Sequence, residues 1–408
     1  MSSLSLLAAA LVLHTAAAAA PTSVLFVGNN YTFGRIDPLM SYNAANVRDL
    51  TAAMFVTNPQ GSNAFEPHPW CGVAGIFKQF TVQAGLDYDV AISARNAATL
   101  RGQLLNSNPA NWDLRGNIAS QSWSQVVLQE QCDEPLTRRT GLASNPDYFK
   151  NYADKIEEFV HGGAAHSFRE RDFFLNAAAT DAEKTAACQA ATGATAATCN
   201  LLRSLPANSF ASATTKLYLY QTRARPNLVS GAFATTVDPV TGAVTRTSTP
   251  ATTFFSSLEN MTDELRDAYA ADAALAAAGG TGDFAAIAPV GQAFMRAVSS
   301  GVATRDFWAT NASSDGLIDL WSDDGPHASK TGSYLSALTL YGTLTGLNPM
   351  ALGGQEIAAR DLGISRVDAV MLQRIAASQL ALDVAEPGTL AFACLALAAL
   401  MYQCRRAG

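Results

Sequence analysis

The stretch Ser23-Val24-Leu25-Phe26-Val27-Gly28-Asn29-Asn30-Tyr31-Thr32-Phe33-Gly34 sets the reading of the chain. Ser23 to Val27 is a short apolar run stopped at once by Gly and Asn, the pattern of a buried strand that ends in a tight turn. Similar runs recur at Tyr88 to Ser93, Gln125 to Leu128, Lys216 to Gln221 and Phe284 to Pro289, with helical stretches between them. Unbroken apolar runs of this kind belong to parallel sheets covered on both faces by helices. The five strands predict an α/β chain with a three-layer, doubly wound parallel sheet and loop insertions. Functional loops in such sheets gather beyond the carboxyl ends of the strands. The turn from Gly28 to Gly34 is therefore a place to look for chemistry.

Outward from that core, composition bounds the rest. Of 408 residues, 49% are hydrophobic and 15% charged, which suits one large, elaborated domain. The 27 basic and 34 acidic residues leave a net charge of -7 with no sustained basic patch, which argues against nucleic acid as a partner. Two insertions interrupt the strand-helix scheme. The first, about residues 35–70, carries Phe65-Glu66-Pro67-His68-Pro69-Trp70, which reads either as a substrate wall or as structural packing. The second, about 161–215, is rich in Ala, Thr and Asn and reads as a surface excursion; His161 and His166 within it read as a solvated loop rather than as metal ligands. Val237 to Val244 reads as a small hairpin.

The two ends have their own character. Leu4 to Ala20 is an apolar run closing in an alanine tract, the form of a secretory signal occupying residues 1–20, although its start carries no Lys or Arg. Pro21 places the expected cut before Ala20. Ala385-Glu386-Pro387-Gly388-Thr389-Leu390 is followed by an apolar run to Cys404 and then Arg405-Arg406. A run of that length is at the short edge for spanning a bilayer, and the arginines suit the cytoplasmic side. This tail, 385–408, resembles the PEP-CTERM sorting signal of bacterial surface proteins, with Ala385 where that signal usually has its first Pro. The resemblance implies removal by an exosortase-like protease and a place at the cell surface or outside it, with membrane contact confined to the terminal segments. Residues 21–384 are left as the folded domain. Its four cysteines then meet an oxidising compartment, and Cys188 and Cys199, close in sequence, are the first choice for a disulfide.

Near the other end of that domain stands Asp323-Asp324-Gly325-Pro326-His327, followed by Ala328-Ser329-Lys330-Thr331-Gly332-Ser333-Tyr334-Leu335. An Asp three residues before a His, across a Gly-Pro turn, lets a carboxylate hold one imidazole nitrogen while the other faces a substrate. The segment Trp321 to Leu347 resembles the last motif block of the SGNH (GDSL-like) hydrolases. Weaker likeness extends to the first-strand block, to Val126-Val127-Leu128-Gln129-Glu130-Gln131 and to Leu217-Tyr218-Leu219-Tyr220-Gln221. The resemblance implies a flavodoxin-like sheet and cleavage of acyl esters, such as acetyl esters of extracellular carbohydrate or lipid, with no metal and no cofactor. It makes His327 the general base and Asp324 its orienter. It builds an oxyanion hole from the backbone of Asn30, that of Ala97 where the family has Gly, and the side chain of Gln129, with Gln131 as runner-up.

The sequence departs from the family at the nucleophile. Gly28-Asn29-Asn30 stands where Gly-Asn-Ser or Gly-Asp-Ser is expected, and a carboxamide cannot form an acyl-enzyme. Three readings follow: His327 activates water directly, the fold serves as a catalytically inactive binding module for acylated glycans or lipids, or a nearby hydroxyl such as Thr32 or Ser93 takes over.

Overall fold

A computed structural model describes residues 20–35, 37–52, 68–106, 113–237, 244–249, 252–279, 283–306 and 315–382. In chain order its strands are β1 (Thr22–Gly28), β2 (Val47–Asp49), β3 (Tyr88–Ala94), β4 (Gln125–Gln129), β5 (His166–Phe168), β6 (Arg203–Leu205), β7 (Lys216–Tyr220), β8 (Ala232–Val237), β9 (Val244–Thr249) and β10 (Phe284–Ala288). The main sheet is parallel throughout, in the order β10-β7-β4-β1-β3-β2. The chain starts in the middle at β1, winds to one edge, and returns past β1 to β4, β7 and β10. That reversal opens a crevice beyond the carboxyl ends of β1 and β4.

The strand sequences explain this placement. Val24, Leu25, Phe26 and Val27 are fully buried, so both faces of β1 are covered and the run is apolar throughout rather than alternating. Each such side chain contributes about 1.5–3 kcal/mol on burial. One group of helices packs Phe77 of Gly72–Gln83 edge-on against Phe26 at 5.4 Å, and Phe80 against Tyr334 of Lys330–Thr345 at 5.5 Å. A second group joins Pro146–His161 to Leu258–Gly279 through Phe149 and Tyr269, whose rings lie 4.7 Å apart. The helix Lys330–Thr345 is buried on nearly every side. Its hydroxyls are satisfied internally: Ser336 donates to the carbonyl of Gly332 and Thr339 to that of Leu335, both at 2.9 Å.

The sheet has six strands rather than about five. The addition, β2, lies inside the first insertion and pairs with β3 at the edge. Three residues including Arg48 and Asp49 carry no apolar run to betray a strand, and the edge is marked by charge instead: Arg48 holds Asp89 at 2.6 Å. In the same insertion Trp70 is fully buried, stacked on Phe33 at 4.0 Å and on His68 at 3.8 Å, while Asp49 accepts the Trp70 backbone N–H. His68 and Trp70 are thus packing; Phe65 to Pro67 lie outside the described residues.

The second insertion is more ordered than a surface excursion. It contains the antiparallel pair β5-β6, helices Asp181–Thr192 and Ala196–Asn200, and the Cys188–Cys199 disulfide with an S–S distance of 2.00 Å. It is anchored by Glu170, fully buried, which accepts from Arg101, Tyr148 and Tyr152 at 2.6–2.9 Å. His161 is not solvated: it ends the helix Pro146–His161, buried between Glu157 and the carbonyl of Thr215. His166 opens β5 and stays partly exposed. The hairpin is β8-β9, with Val237 opposite Val244, and its turn lies outside the described residues. Residues 1–19 and 383–408, which carry most of the expected leader and the whole expected sorting tail, also lie outside them. No helix among the described residues is long and apolar enough to cross a membrane.

Candidate active site

The turn after β1 is held by local contacts. Asn29 caps the helical turn Asn30–Phe33, its side-chain oxygen accepting the N–H of Tyr31 at 3.0 Å. A side chain at Gly28 would place its Cβ 2.3 Å from the Thr32 hydroxyl and 2.6 Å from the Gln129 amide oxygen, so the position demands glycine. As the first residue of the turn, Asn30 keeps a backbone N–H with no intrahelical acceptor.

The loops after β3 and β4 are tied to that turn. Arg95 donates its backbone N–H to the carbonyl of Gly28 at 3.1 Å, and Ala97 follows in the left-handed region at φ 53°. A residue there is normally glycine, and the conformation costs an alanine about 1–2 kcal/mol. Glu130 accepts the N–H groups of Leu100 at 2.9 Å and Gln131 at 2.6 Å, joining the two loops from below. Its second carboxyl oxygen is buried without a partner among the described residues. Burial and the nearby Glu134 push the Glu130 carboxyl well above the usual carboxylate range.

The His block is a turn closed on itself. The N–H of Ser322 donates to the carbonyl of His327 at 2.8 Å, and Ser329 caps the helix Lys330–Thr345 by accepting from Gly332. Asp324 accepts from the backbone N–H of His327 at 3.1 Å through one oxygen and meets the ring Nδ1 at 2.5 Å with the other. Burial opposes ionisation of Asp324. The hydrogen bond and charge of His327, with help from Arg35, nevertheless hold its carboxyl below its ordinary range.

His327 and Asn30 come from opposite ends of the chain and meet here: Nδ2 of Asn30 contacts Nε2 of His327. The backbone N–H of Ala97 donates to Oδ1 of Asn30 at 3.4 Å. That contact orients the carboxamide, because an N–H needs an acceptor and only the oxygen provides one. The amide nitrogen then faces His327 and can only donate. Nε2 is therefore the acceptor, and the imidazole proton sits on Nδ1 toward Asp324. Asp324, His327, Asn30 and Ala97 form one polar chain, with Asn30 where a nucleophile would stand. His327, Asn30 and Ala97 border a cleft of about 250 Å³ that Gln131 and Pro326 also line, with Asp324 behind the imidazole.

Gln129 departs from its expected place. It is fully buried; its oxygen accepts the backbone N–H of Asn29 at 2.9 Å and the hydroxyl of Thr32 at 2.8 Å, while its nitrogen donates to the carbonyl of Glu130. It pins the turn from beneath. Gln131 lines the cleft instead, its oxygen accepting from Asn29 Nδ2 at 2.9 Å. Gln129 is the last residue of β4 and Gln131 lies in the loop beyond it, where the strand alternation that would put i and i+2 on one side no longer holds. Thr32 and Ser93 are buried, engaged with Gln129 and Asn117 respectively, and neither lines the cleft. Sequence reasoning missed Arg225, which follows β7 and lines the cleft with Arg35. The Arg-rich run Arg223-Ala224-Arg225 just past a strand end was the available signal.

No family model matches the chain, and no curated protein matches it. Two solved structures are similar to it. One is a "putative SGNH hydrolase" from Slackia heliotrinireducens, 15% identical over 80% of this chain and 100% of that one, with a TM-score of 0.36. The other is a DUF4886 family protein from Bacteroides uniformis ATCC 8492, 13% identical over 91% of this chain and 99% of that one, with a TM-score of 0.39. At that level of likeness neither assigns a chemistry to this chain.

Proposed function

We propose that the protein is an exported ester hydrolase of the SGNH type, acting on O-acyl groups of extracellular carbohydrate or lipid. The observation that carries this reading is the Asp324–His327 pair aimed at Asn30 beside the N–H of Ala97. Asp324 holds the imidazole in one tautomer, His327 is the base, and the backbone N–H groups of Ala97 and Asn30 are the oxyanion donors. Because Asn30 has no hydroxyl, the attacking species is water. An ester carbonyl that takes the Ala97 N–H displaces the Asn30 oxygen, and rotation of the carboxamide uncovers Nε2 for that water. Turnover by this route is slow, of the order left to sites that lack a triad member, about 10³ to 10⁴-fold over water.

One observation favours a second reading, a binding module for acylated glycans without turnover: the Asn30 carboxamide occupies both the base and the oxyanion donor at once. A single comparison separates the two. Hydrolysis of a short activated ester is measured for the parent, His327→Ala, Asn30→Ser and the double variant Asn30→Ser/His327→Ala. A parent rate that falls to background in His327→Ala supports direct water attack. An inert parent that binds acylated sugars supports the module. No hydrolysis that depends on His327 in the parent or in Asn30→Ser, together with no binding by the parent, would sink both.

Export and surface sorting belong to the same proposal. The apolar start, the tail after Ala385 and the disulfide, which is at home in an oxidising compartment, support it. Deleting Glu386 to Gly408 should release the protein into the medium, and unchanged retention at the cell surface would remove the sorting role.

A further inference from the structure

The walls of the cleft carry two guanidinium groups, Arg35 from the loop after β1 and Arg225 from the loop after β7, and no carboxylate lines it among the described residues. Its other polar walls are Tyr31, His327 and the carboxamides of Asn30, Asn96 and Gln131. Carboxamides both donate and accept, which suits the hydroxyl groups of a sugar. Among the described residues no long aliphatic side chain lines these walls to receive a fatty acyl chain, and a cleft of about 250 Å³ is smaller than the sites that enclose drug-sized apolar ligands.

Arg225 is also built for binding. Its Nη1 donates to Asp133 at 3.3 Å and to the Cys132 sulfur at 3.4 Å, and its Nε to Asn227 at 3.3 Å. Those contacts fix the plane of the guanidinium and leave Nη2 with no hydrogen bond among the described residues. Arg35 is exposed at the mouth. A guanidinium held in this way keeps one donor open, which can give a carboxylate a charge-assisted hydrogen bond.

Resting on the ester-handling reading above, we propose that the cleft selects short acyl esters carried on an anionic carbohydrate of the uronic-acid type, the sugar carboxylate being taken by Arg225 and Arg35. Neutral sugar esters and long-chain lipid esters are the disfavoured classes.

The test is calorimetric titration of the full chain with two methyl glycosides that share one O-acetyl group, acetylated galacturonic acid and acetylated galactose. The uronate should bind at least about tenfold more tightly at low ionic strength, and the ratio should shrink as salt screens the exposed guanidinium. Arg35→Gln, a change at an exposed position, should erase much of the ratio, and Arg225→Gln should erase more. Equal affinity for the two sugars overturns the charge selection and leaves the ester reading standing. Tighter binding of a long-chain acyl ester also overturns it. Binding of neither acetylated sugar, with no hydrolysis of either, fails the ester reading itself.

Discussion

At Asn30 a carboxamide reaches two groups that a serine hydroxyl cannot reach together, the imidazole of His327 and the N–H of Ala97. On the proposed ester-hydrolase reading, Asn30→Ser does two things: it places a hydroxyl beside the base and it releases an oxyanion donor. Hydrolysis of a short activated ester should rise at least about tenfold, roughly 1.4 kcal/mol of barrier, and adding His327→Ala should remove the gain. Ala97 sits at φ 53°, so Ala97→Gly relieves left-handed strain while giving back part of it as chain entropy. A net stabilisation of up to about 1 kcal/mol is expected in urea unfolding, with the backbone N–H retained. Gln129 acts in the opposite sense. Gln129→Leu strands the N–H of Asn29 and the hydroxyl of Thr32 in the core, at about 1–3 kcal/mol each. A Gln129→Leu protein as stable as the parent would show that these contacts carry no weight.

Among the elements, the second insertion is held by two devices of different kind. The disulfide closes a short loop between the helices Asp181–Thr192 and Ala196–Asn200. Chain-entropy arguments assign such a link on the order of 3 kcal/mol, expressed in whatever unit unfolds with it. The Glu170 anchor instead ties the insertion to Arg101 on the helix Leu100–Leu105, which starts directly after the Ala97 loop. Replacing both cysteines with serine should loosen the insertion, seen as faster amide exchange over residues 181–200, with little effect on exchange near Ala97. Glu170→Gln should raise exchange in both places, because it weakens the tie at the Arg101 end. Identical exchange maps for the two variants would count against this division.

Across the whole molecule, buried acids on the loop after β4 and on the helix Leu258–Gly279 set a dependence of stability on pH. Burial, then the proximity of Asp133, pushes Glu134 up to about 8, and Asp272 is raised by burial and by Asp154. A carboxyl whose folded value lies above its unfolded value binds more protons in the folded state. Stability is then greatest below the unfolded value near 4.3 and declines as pH rises toward the folded one. Asp324, held low, works in the opposite direction and loses its contribution in acid, below the ordinary carboxylate range. The expected outcome is falling stability between about pH 5 and 8, with a slope of at most about 1.4 kcal/mol per pH unit from one group. Glu134→Gln should flatten that slope, and a parent whose stability rises over the range would contradict the account.

How much of this was legible follows from what each signal is made of. The α/β class and the positions of the five long strands are legible in local pattern, because burial on both faces demands unbroken apolar runs, and at β1, β3 and β10 Gly28, Asn96 and Pro289 mark the end. Local pattern also placed Asp324 next to His327, since three residues and a Gly-Pro turn leave little freedom. It named the Cys188–Cys199 pair for the same local reason. Only in three dimensions does it emerge that β2 completes the sheet, that Gln129 turns inward while Gln131 faces the cleft, that His161 is buried, and that Arg35 and Arg225 line one cleft. The tertiary structure also brings Asn30 to His327 across almost 300 residues of chain. These outcomes depend on which loop backbone passes which, and on where a buried N–H finds its acceptor. Such choices are made by packing between segments far apart in sequence, and no local pattern of residue types encodes them.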